Sequence, residues 1–524
     1  MVETDVLVVG AGPTGLMAAC ELAQWGVRVR VVDAAAGPLT GSRGKGMQPR
    51  TLEVLESLGV AGRLVSVGRF RMPIRVHGAD GGVHDQDGHP GVVPTPDSPY
   101  ARSLVIPQWR VEEALRELLA GFGVEVEYGR AVVGLDQHSD GVVAELADGS
   151  LVSAGYLVGS DGGSSTVRRL LGVTFLGETD EDVRMLVADV RLEGLDRDFW
   201  HMWRGAGGRG VALCPVPATD TFQLQAPLPS GAGGELSLGL LQSIVDDMAG
   251  VGQVRLREVT WMSRWRLNVR MVDRYRVGRV FLAGDAAHVH SPSGGQGMNT
   301  GIQDAANLGW KLAHVLAGAD PALLDTYQAE RLPVAAGVLG LSSRLLGVPP
   351  GSRSAADRAE ARQLSISYRG GPLAAPAEDL AGRVETGDRV AAGDRAPEAG
   401  DRAPDAGDRA PDAPCVGPDG RAVRLFELRR GPHWLLLGFG VRPERPAGPV
   451  RVVGIGDGLD LVDAAGHARR AYRAEDGDLV LIRPDGYLGM RGGDPVAVRA
   501  YLDDLGVDKV GVGAVGVGAV GVGG

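Results

Sequence analysis

The chain has 524 residues, of which 44% are apolar and 23% charged, a balance that fills packed cores and excludes wholesale disorder. Its 65 acidic against 54 basic residues give a formal net charge of -11, a field that repels polyanions and excludes nucleic acid as a partner class. Cys20, Cys214 and Cys415 are odd in number and far apart, with neither CxxC nor zinc spacing, which excludes a disulfide-stapled scaffold and favours a reducing, cytoplasmic setting.

In chain order, the acidic start Met1-Val2-Glu3-Thr4-Asp5 does not read as an export signal. Asp5 to Gly41 reads as a βαβ unit: the apolar run Val6-Leu7-Val8-Val9 as a buried parallel strand, a glycine turn, a helix through Ala23, and Val27 to Val32 as the next strand. Met72 to Tyr100, rich in Gly, Pro, Asp and His, reads as an excursion from that sheet. Arg110 to Ala120 predicts a helix, and Val124-Glu125-Val126 and Val142-Val143-Ala144 predict strands. Val183 to Arg266 alternates apolar and polar residues, as an antiparallel sheet roofing a pocket does. Val280-Phe281-Leu282-Ala283 is again a buried-strand pattern, followed by a loop and a helix with Ile302, Ala305, Ala306, Leu312 and Leu316 on one face. Near-copies of AGDRAPD between Ala392 and Asp412 read as an extended linker, because their prolines forbid a coiled coil. Arg424 to Gly506 predicts a small domain with strands at Trp434 to Leu437 and Leu479 to Arg483 and a closing helix at Pro495 to Leu505. The tail from Val510 to Gly524 is too short and too rich in glycine to cross a bilayer, so no membrane partner is expected.

Gly10-Ala11-Gly12-Pro13-Thr14-Gly15 is GxGxxG between a strand and a helix, with Asp33 ending the next strand. In that context Gly10 permits the turn, Gly12 lets backbone approach a pyrophosphate, Gly15 lets helix and strand pack, and Asp33 can accept from the adenosine ribose hydroxyls. The motif alone does not separate NAD from FAD. A second constellation separates them: Gly284-Asp285-Ala286-Ala287-His288, then Ser291 through Gly297-Met298-Asn299-Thr300-Gly301, then an amphipathic helix. Asp285 can hold a ribityl hydroxyl, and free N–H groups around Met298 and Asn299 would face the pyrimidine edge of a flavin, where a helix N-terminus stabilises negative charge by up to about 2 kcal/mol. A metal site at Asp285, His288 and His290 is set aside, because alternate residues after a strand point in different directions; no metal is expected. His77, His84 and His89, interleaved with Asp80, Asp85 and Asp87, read as a solvated hairpin. Asp285, His288 and Ser291 lack a nucleophile elbow. Whether Trp200 and Trp203 line a substrate roof or pack is left open by their spacing.

With these motifs the sequence resembles the FAD-dependent aromatic hydroxylases typified by para-hydroxybenzoate hydroxylase, from about Val2 to Pro333. Gly159-Ser160-Asp161-Gly162, followed by Ser164, Ser165, Val167-Arg168 and Gly172, looks like the family's third motif, which implies that Asp161 serves FAD and NADPH binding. Tyr327, Glu330, Arg331 and Pro333 look like the family's helix end. Ser42-Arg43-Gly44 resembles the loop touching the mobile flavin, and Gln108 a residue near the ribityl chain. The C-terminal part looks like the thioredoxin-like appendage of phenol and polyketide hydroxylases, without a CxxC and hence without a redox role. The expected cofactor-binding set is therefore Gly10, Gly12, Pro13, Thr14, Gly15, Asp33, Arg43, Gln108, Asp161, Asp285, Gly297, Met298 and Asn299.

The implied fold is α/β: a Rossmann-like FAD-binding domain in segments 1–72, 103–180 and 269–385, the last with a helical connection. An inserted β-sheet substrate domain follows at 73–102 and 181–268, then a Pro-rich repeat linker at 386–414, a thioredoxin-like domain at 415–508 and a flexible tail at 509–524. The resemblance implies an NADPH- and O2-dependent monooxygenase that hydroxylates a small aromatic, phenolic, polycyclic substrate of polyketide or antibiotic type through a flavin C4a-hydroperoxide. A Baeyer–Villiger reaction on the same fold and a non-catalytic flavin-containing binding protein are the alternatives, and a homodimer is compatible with all of them. Phenol hydroxylases of this branch carry an acid two positions after the loop arginine; this chain has Lys45 there, so no catalytic base is assigned.

Overall fold

The computed structural model describes residues 3–205, 210–228, 236–291, 293–346, 348, 352–374 and 402–510. The first strand, Thr4–Val9, lies between Val29–Asp33 and Leu151–Gly159, parallel to both. Val280–Leu282 and Val126–Tyr128 extend the parallel set on either side. Val6, Leu7 and Val8 have no exposed surface, as an unbroken apolar run requires when a strand is covered on both faces. The chain leaves the middle strand in one direction and returns on its other side, which opens a crevice at its C-terminal end, at Gly10. Helix Pro13–Gln24 packs on the long helix Gly297–Leu316; a Cβ on Gly309 would lie 2.6 Å from Glu21 Cβ, so the two cross with no room for a side chain.

The second sheet has eight strands, in the order His288–Val289, Arg255–Val272, Phe175–Glu193, Phe222–Pro227, Gly210–Pro215, Trp200–Arg204, Ile74–His77 and Val83–Gln86. One face, with Leu186, Ala188, Leu213 and Leu224, packs on Leu241 and Val245 of helix Leu238–Ala249. Trp203 belongs to this buried face and stacks on His77 at 4.4 Å, whereas Trp200 faces the opposite way. The histidine-rich stretch is a hairpin whose strands pair Ile74 with Gln86, and Arg75 binds Asp85.

A third, mixed sheet runs Val450–Ile455, Trp434–Phe439, Leu479–Ile482 and Leu488–Gly492, closed by helix Pro495–Asp504. The repeat region departs from the linker expectation. Its last copy, Ala406 to Asp412, is packed: Ala410 and Asp412 have no exposed surface, and Gly407 and Ala410 donate backbone hydrogen bonds to Leu488 and Gly486. Proline and charge marked it as an extended linker, but the chain turns at Ala406-Gly407, and Asp412 accepts from the Ala413 and Phe426 amides and so belongs to the C-terminal core. Residues 386–401 of the expected linker and 511–524 of the expected tail lie outside the described residues. Among the described residues no helix is long and apolar enough to cross a membrane.

Candidate active site

Gly10 has φ +103°, a conformation that favours glycine, and a Cβ there would collide with the Ser160 carbonyl. Gly15 is equally closed, with the Gly10 carbonyl and Ser160 Oγ where its Cβ would stand. Gly12 differs: nothing lies within 4 Å of where its Cβ would be. Helix Pro13–Gln24 starts there with proline in its first turn and no side-chain cap, so its leading N–H groups have no side-chain acceptor. Asp33 Oδ2 accepts from Ala11 N at 2.6 Å and Oδ1 from Ala35 N at 2.7 Å, which sets the carboxylate at the crevice rim beside the glycine loop. Thr14 meets the second constellation: Cβ atoms on Gly284 (φ +60°) or Gly301 would both strike its side chain.

Asp285 is exposed in the turn Gly284–Ala286 and accepts no hydrogen bond among the described residues. Its Oδ1 is 3.8 Å from where a Cβ on Gly297 would stand, so it sits at the start of helix Gly297–Leu316, which also lacks a side-chain cap. At Asn299 the backbone N–H, the group named from the sequence, is what remains for a ligand: the side chain is consumed by the fold, accepting from Gln48 N at 2.7 Å and donating to Gly46 O and Gly295 O. Asp161 is likewise engaged, accepting from Ser165 Oγ, Thr166 N and Val167 N at the start of the following short helix. Arg168 in the same motif donates to Gly163 O and Ala286 O, bracing this loop against the Asp285 turn.

Below the turn lies a buried network that the sequence reading did not find. Asp304 accepts from Gly284 N, His288 Nε2 at 2.7 Å and Arg331 Nε at 2.7 Å, and Arg331 donates on to Tyr368 Oη and Thr300 O. Burial alone would raise the Asp304 pKa, but Arg331 and His288 hold it below the ordinary carboxylate range. His288 thus serves to fix the turn. Among the described residues no group of three or more His, Cys, Asp or Glu side chains is arranged around an ion.

The segment from Gly41 to Gln48 crosses between the two sheets. Gln108 N donates to Gly44 O at 2.9 Å, and a Cβ on Gly44 would lie 3.1 Å from Gln108 Oε1 and 4.0 Å from Met298 Cε. Gly44, Gln108 and Met298, far apart in sequence, therefore meet at one point beside the long helix's N-terminus, with Arg43 exposed next to them. Ser42 N donates to Asp189 Oδ2 at 2.8 Å and Ser42 O accepts from Gln223 Nε2, tying the segment to the underside of the second sheet. The alternation that predicted this sheet also gave its two faces, but not which face the crossing segment would occupy.

These features fit a long dinucleotide flavin: an open glycine and two uncapped helix N-termini for anionic groups, and carboxylates at Asp33 and Asp285 for hydroxyls. Residues 3–342 match the FAD binding domain family, and residues 403–505 match the C-terminal domain of aromatic-ring hydroxylases. A flavin-dependent monooxygenase of Mycobacteroides abscessus is 42% identical over 508 residues, covering 95% of this chain and 99% of its own length. A 6-methylpretetramide 4-monooxygenase of Streptomyces rimosus is 37% identical, covering 93% of this chain and 90% of its own. The solved ternary complex of aklavinone-11 hydroxylase with FAD and aklavinone is similar with a TM-score of 0.77 at 27% identity, over 97% of this chain and 99% of that one.

Proposed function

The chain belongs to the flavin-dependent aromatic-ring monooxygenases, and on that premise we propose that it uses NADPH and O2 to hydroxylate a phenolic ring of a polycyclic, polyketide- or antibiotic-type substrate. The observation that carries the reading is the meeting of Gly44, Gln108 and Met298 at the start of the long helix, directly under a sheet able to roof a flat ring system. Relatives that act on 6-methylpretetramide and aklavinone support the substrate class.

When bound, FAD supplies hydride acceptance from NADPH and activation of O2. The chain's part is to bind, orient and keep dry. Gly10, Gly12 and Gly15, with Pro13 and Thr14, form the cradle for the pyrophosphate at the first helix. Asp33 takes the adenosine ribose and Asp285 a ribityl hydroxyl. The amides of Gly297, Met298 and Asn299 face the pyrimidine edge, where the helix N-terminus favours negative charge by up to about 2 kcal/mol. Arg43 on the crossing segment would touch the mobile flavin, Gln108 at the start of helix Gln108–Gly121 would lie near the ribityl chain, and Asp161 with its motif would serve FAD and NADPH binding. The sheet above excludes water, which protects reactive oxygen from being lost before it reaches the substrate.

Three measurements on the holoenzyme test this. The purified protein binds FAD and is yellow, NADPH is oxidised faster when a hydroxyanthraquinone is added, and NMR of the product locates the new oxygen on a ring carbon. Oxygen found in an ester linkage assigns Baeyer–Villiger chemistry instead, and a higher kcat/KM with NADH than with NADPH reverses the assignment of the donor.

A further inference from the structure

The underside of the second sheet carries an unusual row. Trp261, Asp189, Gln223 and Cys214 are cross-strand neighbours, and Trp200 lies on the next strand, one residue before the His201–Leu213 pair that flanks Cys214. The crossing segment runs along this row: Gly41 lies against the Trp261 ring, Ser42 binds Asp189 and Gln223, and Lys45 reaches Trp200. Lys45 Nζ stands 4.1 Å from the centre of the Trp200 ring, is buried, and has no hydrogen-bond partner. Ser42 Oγ and Asp189 Oδ1, in the same patch, are also buried without partners. A buried ammonium that keeps only a ring face and a carboxylate beyond ion-pair distance lacks the acceptor its three N–H groups require. Lys45 is one of three lysines in a chain whose other basic residues are all arginine. The next row of the same face, with Met202, Ala212, Gln225 and Val187, leaves Met202 and Gln225 half-exposed beside it.

Resting on the reading above, we propose that Lys45 selects the substrate's ionised oxygen: its ammonium leaves the Trp200 ring to donate to a phenolate or enolate of the polycyclic substrate. This names the substrate class more narrowly, as a ring system that binds with one oxygen deprotonated. The charged and titratable groups facing Lys45 are Asp189 from one strand and Cys214 from another; burial lowers the lysine's pKa and Asp189 and Cys214 oppose that. A substrate anion adds an opposite charge and keeps the amine protonated, while the ammonium keeps the ring oxygen ionised and the ring electron-rich for attack. No acid or base on the protein needs to move a proton in this scheme.

The test uses FAD-loaded protein and a series of hydroxyanthraquinones paired with their O-methyl ethers. If none of the phenols is bound or oxidised with NADPH, the function reading fails and this proposal with it. If a phenol is turned over, Lys45→Met is expected to raise its Kd roughly 10- to 100-fold while changing the ether's Kd less than about twofold. The bound phenol's pKa, read from its visible spectrum, should rise in that variant, and Lys45→Arg should restore most of the affinity. FAD content and a thermal melt verify that each variant is folded. Equal loss for phenol and ether, or an unchanged phenol pKa in Lys45→Met with turnover intact, overturns the proposal and leaves the function reading standing.

Discussion

Gly12 and Gly15 belong to one motif, yet the two positions exclude a side chain for different reasons. A methyl on Gly15 would be driven into the Gly10 carbonyl, backbone that has nowhere to go, whereas a methyl on Gly12 meets nothing within 4 Å. Gly12→Ala should therefore leave the melting temperature of the FAD-free protein within about 2 °C of the parent, yet weaken FAD binding at least roughly tenfold, because the methyl occupies the pyrophosphate's approach. Gly15→Ala should instead destabilise the FAD-free protein itself, by the roughly 1 to 3 kcal/mol typical of overpacking, and so lower its melting temperature. Apo-protein melts and flavin-fluorescence titrations separate the two. Asp285 permits a similarly clean test, since it is exposed and holds no other group in place. Asp285→Ala should raise the FAD Kd roughly 10- to 150-fold, the loss of one charge-assisted hydrogen bond, without altering the apo-protein's stability. An unchanged Kd in that titration removes Asp285 from the ribityl contact.

At the scale of elements, the parts legible in the sequence were those written locally. A buried strand, a glycine turn and a helix in succession announce their geometry within a few residues, as Val6 to Gly15 do, and so does the run from Val280 into the long helix. The pairings that complete the site are non-local. Nothing in the apolar period of the long helix says that Asp304 will meet Arg331 and His288, or that Ser42 will bind Asp189, because periodicity reports which face is buried and not which polar groups meet there. The last repeat failed for a related reason: composition registers proline and charge, but not the neighbouring surface that buries Ala410 and Asp412. The far end of the long helix shows what such a contact does. His314 Nδ1 donates to Trp310 O and its Nε2 accepts from Trp434 Nε1 of the C-terminal sheet at 3.1 Å, an arrangement that requires the neutral ring. Burial pushes its pKa down to about 4, against the ordinary 6.5. The unfolded chain thus binds the extra proton between those values, so stability is full above about pH 6.5 and falls as the pH drops towards 4, by roughly 3 kcal/mol for this residue. Urea unfolding at pH 7 and pH 4.5 should show a smaller difference in His314→Gln than in the parent; equal differences would mean that His314 is protonated without cost.

For the molecule as a whole, the C-terminal domain is bound to the first domain through largely buried charges. Arg483 grips Glu330 with both terminal nitrogens, at 2.6 and 2.8 Å, and Lys311 donates to the same carboxylate at 2.7 Å. Asp485 accepts from Arg483 and from Asn307 of the long helix, and Arg409 binds Glu53. Burial would raise the Glu330 pKa, but Arg483 and Lys311 hold it well below the usual carboxylate range, so the group stays ionised and must stay paired. Lys311 and Asn307 lie on the same 20-residue helix whose first turn faces the expected flavin, so the C-terminal domain clamps the rod that carries the cofactor's charge-stabilising end. Arg483→Met should accordingly cost about 3 to 5 kcal/mol, since it leaves Glu330 with Lys311 as its remaining cation and removes the cation bound to Asp485 in a dry interface. The loss should appear as one transition in which FAD release and hydrogen exchange of strand Trp434–Phe439 coincide. Exchange of that strand well before FAD release would mean that the C-terminal domain can detach while the flavin end of the helix holds its place, and that the clamp does not reach the active site.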